Sequence, residues 1–341
     1  MKPIVGAAMG AALITGLAVA GSQPASAQDD QSFILATAGT GGTYYPVGVA
    51  IATLISVRVE PQHGIGMSAI TSAGSGENIR LLREDEVQFA ILQGLFGAYA
   101  AAGEGPIAED GPQEHLRSVS MLWPNVEHFA IRSSFVDTGT IADFVAMEGE
   151  SFAIGARNSG TEGSNRYLIE QLGIADPDSY YNLAFMGYAP SVDAFQNGEL
   201  NAVNIAAGPP VGAYTQLAAA VGDEVVLLGW TPEQVAEVNQ IYDGLYYEYV
   251  IPADTYPNLS ADVTTVAQPN FLAVRADVDE EAVYLITRAM YENLPFLQNI
   301  HPATDAMSLD SAISGLPLPL HPGAIRYYEE AGLTIPDRLR P

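Results

Sequence analysis

The chain has 341 residues, with 40 Asp and Glu against 13 Lys and Arg and a formal net charge of −27. That sign excludes a nucleic-acid partner, which would need a basic surface, and a 48% hydrophobic composition excludes a disordered acidic chain. With no cysteine, there is no disulfide framework, no lipidated cysteine and no thiol nucleophile.

The chain opens with Lys2, an apolar run over residues 4–20, and the small-residue site Ala25-Ser26-Ala27. This reads as a secretory signal peptide cleaved after Ala27, which predicts a periplasmic mature protein. No later run is apolar enough to span a membrane. Lys2 is the only lysine. An acidic, lysine-free surface on a packed core points to a salty setting, where screening weakens self-repulsion.

Residues 33–38 (FILATA) predict a short buried strand, and Val47, Ile51, Leu54 and Ile55 predict a helix from about Pro46. Between them lies Gly39-Thr40-Gly41-Gly42-Thr43-Tyr44-Tyr45-Pro46. Glycines permit the sharp turn, and the first N–H groups of the helix favour an anion in it. Neither the nucleotide pattern GxxxxGK[ST] nor the dinucleotide pattern GxGxxG is present. Thr40, Gly42, Thr43 and Tyr44 are therefore candidate contacts for a small anionic ligand.

A second strand is predicted over 65–71, then a small-residue turn at 72–78 and a helix carrying Ile79 and Leu82. A third strand, 87–92, ends at Gln93. Strands alternating with helices make a mostly parallel sheet, whose ligands sit beyond the strands' C-terminal ends. Asn78 and Gln93 are candidates on that ground; Glu77 has the ordinary role of an acid at a helix start. A strand-like run at 116–123 ends at Trp123, a cleft-wall or core residue, and a second extended stretch at 127–132 lies within a crossing at 124–132.

Beyond the crossing the pattern restarts. Strands are predicted at 151–156, 182–186, 202–207 and 225–228; a helix carrying Tyr167, Leu168, Gln171 and Leu172 follows the turn at 157–164 and stops at Gly173, and further helices run over 190–197, 208–220 and 232–242. Arg157, Ser159, Gly160 and Thr161 occupy the second lobe's counterpart of the first turn. Arg can pair a carboxylate bidentately while the helix start adds N–H donors; a surface arginine or an ion pair with Glu162 is the other reading of Arg157. Residues 263–275 read as the return crossing, with Pro269 arguing against a central strand position. A helix over 277–293 and a tail over 311–328 complete the first lobe. The division is residues 28–126 with 272–341 for one lobe, and 127–271 for the other.

The ordered motifs GTGGTYYP, SAGSGENIRLL, the strand ending in Gln93, the turn at 157–161 and GLPLPLHPGAIRYY resemble the TAXI solute-binding proteins, the substrate receptors of one branch of the TRAP transporters. The resemblance runs from Phe33 to about Tyr328. It implies the type II periplasmic-binding-protein fold, with two α/β lobes, two crossing strands and a ligand cleft. It also implies a monomeric receptor without catalytic activity that captures glutamate, glutamine or a small dicarboxylate such as 2-oxoglutarate and delivers it to TRAP membrane subunits. Three stretches depart from the family: Gly94-Leu95 after Gln93, Leu122-Trp123-Pro124-Asn125-Val126 in place of LYPEP, and Gly155 to Thr161 in place of GAPGSGT.

Two other classes compete with this one. An exported hydrolase would need a G-x-S-x-G elbow or H-E-x-x-H, and neither is present. His63, His115, His128, His301 and His321 lack metal-ligand spacing, so no metal, cofactor or catalytic residue is expected. A receptor that presents its ligand to a membrane sensor would look the same in sequence.

Overall fold

The computed structural model describes residues 31–341, and the leader read in residues 1–27 lies outside them. Eleven strands form two sheets: β1 (Gln31–Ala36), β2 (Ile65–Ile70), β3 (Phe89–Gln93), β4 (Leu116–Val126), β5 (Phe129–Arg132), β6 (Ser151–Ala153), β7 (Asn182–Ala184), β8 (Ala202–Asn204), β9 (Val225–Leu227), β10 (Tyr247–Ile251) and β11 (Val263–Arg275). The first sheet runs β10-β11-β3-β1-β2, with β4 also paired to β11. The second runs β7-β6-β8-β5-β9.

β1 pairs in parallel with both β2 and β3, so helices must cross back over the sheet between them. Those helices are Tyr44–Arg58 and Ser75–Arg83. β3 is buried on both faces, as its unbroken apolar run requires. The second lobe repeats the device with β6, β7 and β8 and the helices Gly160–Gln171 and Tyr188–Gln196. Its strands β6, β7 and β8 are two or three residues shorter than predicted, because the chain leaves each ladder early to form the turns that face the first lobe.

The two sheets are joined through β4 and β11. β4 ends at Val126, and Glu127 and His128 lead straight into β5. Val126 and Ala207 exchange backbone hydrogen bonds of 3.1 and 3.0 Å, and the Glu127 N–H donates to Val266 O at 3.0 Å.

Three expectations differ from the structure. Pro269 does lie inside a central strand, opposite Pro124 of β4. Its missing N–H costs little, because on its other flank it falls between two ladders: the pairing of β11 with β10 ends at Ala267, and its pairing with β3 begins at Asn270. The return to the first lobe also comes earlier than residue 272, since both β10 and β11 are hydrogen-bonded into the first sheet. The helix predicted over 232–242 stops at Glu237. There the Asn239 side chain takes over backbone partners, accepting from Tyr246 N–H at 2.9 Å and donating to Tyr246 O at 2.7 Å.

Among the described residues no helix is long and apolar enough to cross a membrane, and no group of three His, Asp or Glu is placed to hold a metal ion.

Candidate functional site

A cavity of about 120 Å³ lies where the two lobes face each other. The first lobe supplies the turn 38–44, Ser72 to Ser75 and Gln93; the second supplies Ala156, Ser159 to Thr161, Gly187, Tyr188 and Ala206 to Ala207. None of the lining side chains is charged.

The lining residues come from strand ends because each parallel strand delivers the chain to a turn that starts a helix. Four helices therefore begin at the cavity, at Tyr44, Ser75, Gly160 and Tyr188. Three of them have no side-chain cap; only Ser159 caps its own helix, accepting from Glu162 N–H at 3.0 Å. Their first backbone N–H groups are donors without an intrahelical partner, at the positive ends of four dipoles. Gln93, only 3% exposed, adds a side-chain amide whose Oε1 has no hydrogen-bond partner. The amide can turn to present Nε2–H to a ligand.

Other polar groups at the cavity are already engaged. The Thr43 hydroxyl donates to Gly208 O across the cleft at 2.9 Å. Thr161 and Tyr188 share a hydrogen bond of 2.6 Å, and the Tyr188 hydroxyl donates to Ala206 O at 2.7 Å. Tyr44 donates to Asn270 Oδ1 at 2.5 Å, and burial holds its phenol well above the ordinary value, so it stays neutral.

The lobes meet at glycines. A Cβ on Gly160 would lie 2.7 Å from the Gln93 amide and 2.8 Å from Ser75 Oγ, and one on Gly42 would lie 3.0 Å from the Tyr188 ring. Gly74, at φ 121°, adopts a conformation that favours glycine and lies against the backbone of Ser159 and Gly160. The Glu77 N–H donates to Asn158 O at 3.0 Å. These contacts belong to a closed cleft.

Seven of the residues singled out from sequence line the cavity: Gly42, Thr43, Tyr44, Gln93, Ser159, Gly160 and Thr161. Four do not. Thr40 is exposed on the outside of the turn. The Asn78 amide is fully buried, donating to Thr37 O at 2.8 Å and Ile91 O at 2.9 Å, so it ties β1 to β3. Trp123 is fully buried behind Tyr44, with ring centroids 6.0 Å apart. Arg157 is exposed, its guanidinium 3.7 Å above the Phe185 ring. Its nearest arginine neighbour in sequence, Arg166, is taken up by Glu162 and Asp178.

Sequence reasoning did not single out Ser72, Ser75, Tyr188, Ala206 and Ala207. The available signal was positional: each lies where a predicted strand gives way to a helix or turn.

Residues 35–332 match the model of a family described as the NMT1-like family. Among solved structures, a protein of Bordetella bronchiseptica RB50 is similar at 12% identity, over 90% of this chain and 85% of that one, with a TM-score of 0.52. That likeness speaks for the fold: two α/β lobes of the periplasmic-binding-protein kind. Also similar are the binding protein component of an ABC phosphonate transporter from Pseudomonas aeruginosa (11% identity, 80% of this chain and 78% of that one, TM-score 0.49) and an alkanesulfonate-binding protein from Xanthomonas axonopodis pv. citri bound to MOPS (12% identity, 89% and 91%, TM-score 0.45).

Proposed function

We propose that this chain, which belongs to the NMT1-like family, is an exported receptor that captures one small organic anion between its lobes and hands it to a membrane importer. One observation carries the reading: helix starts from both lobes converge, with the Gln93 side chain among them, on a cavity without a charged side chain. A carboxylate only accepts hydrogen bonds, so a site made of donors suits it. With no carboxylate in the lining, a free ammonium group would have no charged partner there.

The finer identity follows from the motifs. GTGGTYYP and the tail PLHPGA support a receptor of the TAXI kind that docks on TRAP membrane subunits in the periplasm as a monomer. A small mono- or dicarboxylate fits the room available. The test is a thermal-shift series in molar salt across mono- and dicarboxylic acids, 2-oxo acids, amino acids and the matching uncharged amides. Carboxylates are expected to raise the melting temperature with concentration, as mass action requires, and their amides to leave it unchanged. Equal shifts from acid and amide, or shifts from cations alone, would overturn the anion reading.

A further inference from the structure

Glu127 sits in the segment that carries the chain from one sheet to the other, and it is completely buried. Its Oε2 accepts from Asn204 Nδ2 at 2.6 Å, while Oε1 has no partner. Neighbours come from both sides of the hinge: Asn204 and Ser164 from the second lobe, Gln268 from β11 of the first sheet. The titratable groups its charge reaches are Tyr44 and Tyr188 at two of the helix starts and Tyr246 before β10, and an ionised Glu127 would raise the phenol pKa of all three. His128 points elsewhere, its ring held by Val126 O, Ile205 O and the Tyr256 hydroxyl. Neither an arginine nor any other charged side chain perturbs the carboxyl.

A buried carboxylate with no cation and one free oxygen is costly, and the cheap form is the neutral acid. Burial accordingly pushes Glu127 up to about 7.

From this geometry we infer that Glu127 is a proton-binding site of the hinge: it takes a proton from solvent as the lobes close and returns it when opening lets water in. The inference rests on the reading that the lobes open and close. A closed form that binds the extra proton gains over the open form as pH falls. Between the ordinary glutamate range and about 7, each pH unit changes the closed-to-open ratio by up to about tenfold.

The test uses the ligand-free protein, so failure of the anion reading would leave it intact. Infrared difference spectra of wild type and Glu127→Gln, which is isosteric with the neutral acid, should show a protonated-carboxyl C=O band at pH 5.5 that the variant lacks. In wild type that band should fade by pH 8. Small-angle scattering should give wild type a larger radius of gyration at pH 8 than at pH 5.5, with the variant equally compact at both. A missing band would overturn the inference, as would a wild-type radius that ignores pH or a variant that expands as wild type does. The wild-type arms decide the matter alone should the variant fail to fold.

Discussion

Gln93 and Arg157 exchange importance between sequence and structure. An arginine in a Gly/Ser turn is the natural anchor for an acid, yet Asn158 beside it turns the chain at φ 61° and Arg157 stacks outward on Phe185. Which side of such a turn a residue faces is set by one dihedral angle, and composition does not reveal it. Gln93 was legible because a strand end in a parallel sheet always delivers its last residue to the ligand side. Asn78 was misread for a related reason: a buried amide one turn into a helix serves equally well to clamp two strand ends. Calorimetry on the best acid from the thermal series separates the two residues. Gln93→Leu, which removes a buried bond to a charged group, should weaken binding roughly 10- to 100-fold, about 1.5–3 kcal/mol. Arg157→Ala should stay within about threefold of wild type; a tenfold loss there would return the arginine to the site.

At the scale of elements, the site consists of helix starts, and what lets them meet is the absence of side chains between them. The sequence shows the small-residue turns but not their partners, because contacts between Gly160 and Gln93, or Gly42 and Tyr188, join positions far apart in the chain. Gly160→Ala places a methyl group 2.7 Å from the Gln93 amide and 2.8 Å from Ser75 Oγ. Neither contact arises within the second lobe, so the ligand-free melting temperature should hardly move. Scattering should then show compaction by the acid in wild type and little in the variant; full compaction in Gly160→Ala would mean that the lobes do not meet there. Pro269 teaches the converse lesson. A rule about one residue fails when the flank that lacks its N–H faces a gap between two ladders. The tail motif is structural as well: Tyr328 donates to Val119 O at 3.0 Å, and Pro317 fills the space beside Gly97.

For the whole molecule, alternation of strands and helices with a restart after the crossing was enough to expect two lobes with a cleft. The exact seam was not, since β10 and β11 belong to the first sheet though the chain reaches them from the second lobe. Charge acts at this scale too. A net charge of −27 repels an anion at long range, so capture depends on short-range donors inside the cleft and on salt that screens the acidic surface. The most direct measurement is a crystal structure grown in molar salt with the acid that gives the largest thermal shift. The account predicts a carboxylate within hydrogen-bond distance of the Gln93 amide and of backbone N–H groups at the helix starts of both lobes. The acid bound outside this cavity, or a cation in its place, would contradict it.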